Sequence, residues 1–171
     1  PDGFYMSISV QTGGRRFKAR LVGFDAEVLW SPDSSAFVVN EREGGGGFDQ
    51  KAYIFYLKAN GLEKKNLSAL VERAFGRPVK CELPIRPNTA VVTWLAPHRL
   101  LVAAEIVNVS VCQHPGTFLS YELSLPDLKV MARHTQAETR QKFGKYFGCE
   151  LAAADDNSAA RWQKRKSARS R

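Results

Sequence analysis

Histidine, cysteine and a run of consecutive glycines are the residues of this chain with which chemistry could be done. Cys112 and His114 stand two apart, so on an extended strand both side chains leave from the same face. That is half of a metal site: a structural zinc centre takes four ligands, and Cys81 and His98 are the only recruits that could complete the set. The pattern reads as a buried cysteine beside a turn histidine, and no metal, cofactor or catalytic residue is assigned. His98 follows Pro97 and His114 precedes Pro115, both in turn sequences, while His134 sits at the edge of the last helix. Cys149 adjoins Glu150, an acid that makes a thiolate harder to form. No G-x-S-x-G nucleophile elbow is present. Three widely spaced cysteines are no disulfide framework; one bridge plus a free thiol and three buried thiols both fit Cys81, Cys112 and Cys149.

Gly44 to Gly47 would suit a phosphate cradle only if a Lys-Ser or Lys-Thr pair and a helix followed. The lysine must reach the phosphates and the helix N-terminus must face them. "FDQKAYIFYL" follows instead, which is strand sequence, and a dinucleotide-binding turn fails for the same reason. The run is predicted to be an exposed hairpin loop between strands near 36–41 and 51–58. Glu41, Glu43 and Asp49 flank it, but they lack the order of a calcium loop and read as solvated charge.

The chain of 171 residues has room for a single cored domain, expected over residues 1–150. Net charge is +8, yet the last eleven residues, "RWQKRKSARSR", carry six cations and no acid. Of the 25 basic residues that leaves 19 against 17 acidic ones, so the charge is expected on a flexible tail over 151–171. Such a run reads as a solvated end, with contact to nucleic acid or an anionic surface as the alternative. No apolar run approaches the length of a membrane-spanning helix.

The elements that would position any site are mostly strands. "FYMSISVQ", the turn "TGG" and "RRFKARLVGF" predict a hairpin. "AEVLW" and "AFVVNE" flank "SPDSS", where Pro32 fixes φ at the first central turn position and the serines can bond nearby N–H groups. "KAYIFYLKANG" ends at the turn signal Asn60-Gly61. Leu67, Leu70, Val71 and Phe75 share a helical face, with Asn66 or Ser68 as N-cap. "AVVTWLA", "RLLVAAEIVNVSVC", "TFLSYELSL" and "LKVMARH" predict further strands. Thr135 with Glu138 three residues on is a capping box opening a C-terminal helix. The expected fold is mainly β: antiparallel blade-like hairpins with a short internal helix and a C-terminal helix.

"PDG" at Pro1–Gly3 recurs as "PDS" at Pro32–Ser34, and Trp30 in "VLWSPDSSAFVV" recurs as Trp94 in "VVTWLAPHRLLVA", 64 residues on. The "W-S-P-D-[GS]" turn between strands resembles the WD-like repeat of bacterial β-propellers, over residues 1–61 and more loosely 91–130. The resemblance implies blade-type sheets and names no chemistry. Too few repeats are present to close a ring, and the helices lie outside the pattern, so a free-standing fold is expected, with an incomplete propeller segment as the alternative. Trp30 and Trp94 read as packing residues rather than ligand platforms. The function expected is a non-catalytic binding or scaffold module with a protein partner, bacterial and exported to the periplasm or beyond, with the cytoplasm as alternative. A hydrolase with an unrecognised site and a tail-borne nucleic-acid binder are the competing readings.

Overall fold

The computed structural model describes residues 5–12, 14–23, 25–42, 50–75, 86–106 and 116–147. Strands Tyr5–Thr12 (β1) and Arg15–Val22 (β2) pair antiparallel around Gly14, whose φ of 75° is the left-handed conformation that side chains disfavour. Their alternation gives the hairpin an apolar face, with Val10 and Leu21 fully engaged, and a polar face turned to solvent.

Two antiparallel sheets of four strands follow. Asp25–Trp30 (β3), Ala36–Arg42 (β4), Gln50–Lys58 (β5) and Gly61–Asn66 (β6) form the first, in that order. Helix Leu67–Phe75 (α1) leads to the second, built from Asn88–Ala96 (β7), Arg99–Glu105 (β8), Phe118–Ser124 (β9) and Lys129–Thr135 (β10). Helix Gln136–Phe143 (α2) closes the described chain, with a single 3₁₀ turn at Gly144–Tyr146. The expected mainly β, antiparallel fold with a short internal helix and a C-terminal helix is the one observed.

The layers run hairpin, first sheet, second sheet, α2. Between the sheets lie Val38, Ile54 and Tyr56 on one side and Val91, Leu100, Val102, Tyr121 and Leu123 on the other, with Leu67 and Val71 of α1 joining them. Under the hairpin, Val10 and Leu21 meet Phe37, Val39 and Phe55, and the Phe37 and Phe55 rings stack at 4.9 Å. Each side chain so buried contributes about 1.5–3 kcal/mol. Asn40 of β4 spans the sheets: its amide donates to the Val91 carbonyl and accepts from the Val91 N–H, both at 2.8 Å. It thereby occupies the free edge of β7 as a neighbouring strand would.

Two local signals act as read. Thr135 accepts from the Glu138 N–H while the Glu138 carboxylate accepts from the Thr135 N–H, the complete capping box. Asn66 caps α1 by accepting from the Ala69 N–H, while Ser68 instead accepts from the Ala52 N–H. Strand β6 was not foreseen: "LEKKN" is charged and carries one large apolar residue, Leu62, but an edge strand tolerates lysines, and the turn signalled by Asn60-Gly61 proves to be that of a hairpin. Glu41 corrects a second expectation. It lies in β4 and is 1% exposed, not solvated loop charge. Gly23 explains part of that close packing, since a Cβ there would lie 2.6 Å from the Arg42 carbonyl oxygen.

Candidate functional site

Turns from both sheets meet at one end of the stack. The β3–β4 turn is organised by Asp33, which accepts from the Ser35 N–H at 3.1 Å and the Ser35 hydroxyl at 2.8 Å. Ser31 joins in, its hydroxyl accepting from the Ala36 N–H at 3.0 Å. Hydrogen bonds from the Ser31 hydroxyl and from Ser35 hold the Asp33 carboxyl down at about 2. Ser34 takes the left-handed conformation, φ 58°, at the position where the repeat pattern alternates with glycine. This turn is tied to β5 by the Leu57 N–H donating to the Ser35 carbonyl. On the other sheet, Leu125 donates its N–H to the His98 carbonyl, joining the β9–β10 turn to the β7–β8 turn.

Between these connections lies a cleft of ≈ 200 Å³ lined by Ser35, Ala36, Tyr56, Leu57, Lys58, Pro97, His98, Leu125 and Pro126. Its walls are mostly apolar, with the polar groups few and distinct. Tyr56 is 9% exposed, and its hydroxyl makes no hydrogen bond within the described residues. Burial pushes the Tyr56 phenol up to about 12, helped by the negative charges of Glu63 and Asp127. At neutral pH it is therefore a protonated donor with unused capacity, and a poor acid–base catalyst. Lys58 and Lys65 flank the ring at 5.5 and 5.3 Å from its centroid, and both pair with Glu63. The hydroxyl itself is sealed from solvent, so the open walls suit an apolar group, with Lys58 and His98 among the exposed polar side chains of the lining.

A second polar cluster lies beneath α2. Glu122 of β9 accepts from the Arg99 guanidinium and lies 3.0 Å from His134 Nε2. Burial alone would raise the Glu122 carboxyl; the hydrogen bonds and charges of Arg99 and His134 outweigh it and hold the group below the usual glutamate range. His134 is 3% exposed and meets the Phe143 ring edge-on at 5.3 Å. Nearby, Ser120 and Thr139 share a hydrogen bond of 2.7 Å, and Thr139 donates to the Thr135 carbonyl. Through these contacts the cluster fastens the helix to the sheet.

Of the residues singled out from the sequence, His98 lines the cleft and His134 belongs to the cluster under α2. Trp94 is half-buried and donates its indole N–H to the Leu29 carbonyl, whereas Trp30 is 46% exposed and leans on Phe37 at 5.0 Å. Gly44–Gly47, Glu43, Asp49, Cys81, Cys112, His114, Cys149 and the tail over 151–171 lie outside the described residues. Among the described residues, no three His, Cys, Asp or Glu side chains gather as a metal site, and no helix is long and apolar enough to cross a membrane. Tyr56 was missed. Within "KAYIFYLKANG" nothing separates it from Tyr53, and only the second sheet makes its environment special. Comparison of the chain with protein-family models, with curated proteins and with solved structures found no match.

Proposed function

We propose that this chain is a non-catalytic binding module, a stack of WD-like, blade-type sheets that holds part of a protein partner in the cleft beside Tyr56. The observation that carries this reading is the cleft itself: apolar walls drawn from both sheets around a buried phenol with no partner of its own. Blade-like construction is supported by two consecutive meanders stacked face to face, with Trp30 and Trp94 each near the end of its sheet's first strand. The hairpin and α2 cover the two outer faces, which supports a free-standing stack over a ring segment. Placement in the bacterial periplasm or outside the cell rests on the repeat resemblance, and fractionation of the native host tests it.

The binding reading is tested by crosslinking from the native source with the parent and with His98→Trp, which fills the cleft from an exposed turn. The parent should retain a partner that the variant loses. Retention of the partner by the variant, or turnover of a substrate panel by the parent, would refute the reading. A hydrolase is the second reading because Ser35 and His98 line the same cleft. Against it, the Ser35 hydroxyl donates to Asp33, as a turn residue does, rather than to a base.

A further inference from the structure

The outer face of the β1–β2 hairpin carries a concentration of charge that the overall count conceals. Arg16, Lys18 and Arg20 occupy alternate, exposed positions of β2, directly across from Gln11, Ser9 and Ser7 of β1. Residues 5–22 contain no acid. Arg42, Lys58, Lys65, Arg86 and Arg99 are all ion-paired elsewhere on the molecule, but no acid among the described residues pairs with these three cations. The expectation that positive charge is confined to the tail is corrected on this face.

The geometry suits a polyanion with regularly spaced charge. Alternate residues of a strand lie about 6.6 Å apart, so the three cations line a straight track of about 13 Å. The facing serines and glutamine add hydroxyl and amide donors of the kind that bond phosphate oxygens. At one end the Arg20 guanidinium lies 3.5 Å over the ring centroid of Tyr5, an exposed layered platform on which a base can stack. The hairpin's inner face is committed to Phe37, Val39 and Phe55, so the track stays turned outward. A ribbon lying on a sheet cannot enter a duplex groove as a free ribbon does. We propose that this face binds single-stranded nucleic acid, with the phosphates along Arg16, Lys18 and Arg20 and a base at the Tyr5–Arg20 end. The inference is independent of the cleft.

The test uses the full chain and a labelled oligodeoxythymidylate of about 16 nucleotides, followed by anisotropy across a salt series. A full-length variant with the six tail cations from Arg161 to Arg171 changed to glutamine removes the tail's contribution, and binding should persist. In that background R16Q/K18Q/R20Q should weaken binding about tenfold or more and make the log–log salt slope shallower by about 2. Tyr5→Ala should weaken it severalfold and leave the slope unchanged, because stacking releases no counterions. Unchanged thermal melts would show that the exposed substitutions leave the fold intact; a variant that melts early is replaced by the corresponding single substitutions, which carry the same expected directions. Binding that disappears with the tail cations, or that ignores the hairpin substitutions, would overturn the proposal. So would displacement of the oligonucleotide by phosphatidylserine vesicles or polyglutamate as effectively as by unlabelled oligonucleotide at equal charge.

Discussion

The two outer faces of the sheet stack are covered in opposite ways. Over the first sheet, Val10 and Leu21 of the hairpin meet Phe37, Val39 and Phe55 in an apolar layer. Over the second, α2 is held by Thr139 on Ser120 and by the His134–Phe143 contact beside the Glu122–Arg99 pair. Hydrophobic contact has no direction, so the first cover is fixed by shape and area. The second is fixed by hydrogen bonds that demand particular atoms at particular places, and its ionised Glu122 ties it to pH.

Substitutions can break that contrast. The largest effect is expected from Phe37→Ala, which removes a ring at the centre of the apolar cover: about 3–5 kcal/mol of stability by chemical denaturation. The loss should be the same at pH 7 and pH 4, because no titrating group is involved. Glu122→Gln should cost about 1–3 kcal/mol at neutral pH, since Arg99 and His134 lose an ionised acceptor. The folded-state carboxyl lies below the ordinary value of 4.5, so its contribution is complete above that value and is lost as pH falls through the depressed one. The parent should therefore lose stability across that acid range, and the variant should lose less; parallel pH profiles would contradict the role given to Glu122. Thr135→Ala should cost about 1 kcal/mol, the loss of one N-cap, and should raise amide exchange in the first turn of α2 without touching the hairpin.

What could be read from the sequence was local. The capping box at Thr135, the Ser31–Ser35 turn and the β1–β2 hairpin each depend on residues within a few positions of one another, and each is found where its pattern places it. Glu41 was misread, and the surroundings of His134 and Tyr56 went unread, for one shared reason. Their surroundings are assembled from strands distant in sequence, and no local pattern tells a buried acid, imidazole or phenol from an exposed one. The cleft is the extreme case, because three connections separated by other elements, together with the end of β5, supply its walls. The cationic track was present in "RRFKARL" all along, but a count over the whole chain averaged it away.

The strand order carries a consequence for how fast this protein folds. Every ladder joins strands that are consecutive in the chain, some linked by only a pair of residues such as Ala59-Asn60 or Pro97-His98. Closing such short loops costs little entropy, so strand pairing within a sheet is an inexpensive search. Contacts far apart in sequence arise where the layers meet, as when Asn40 grips Val91 across 51 residues. The larger entropy of loop closure therefore falls on the contacts between layers, and a residue at that junction belongs to the clasp that keeps the finished stack from coming apart.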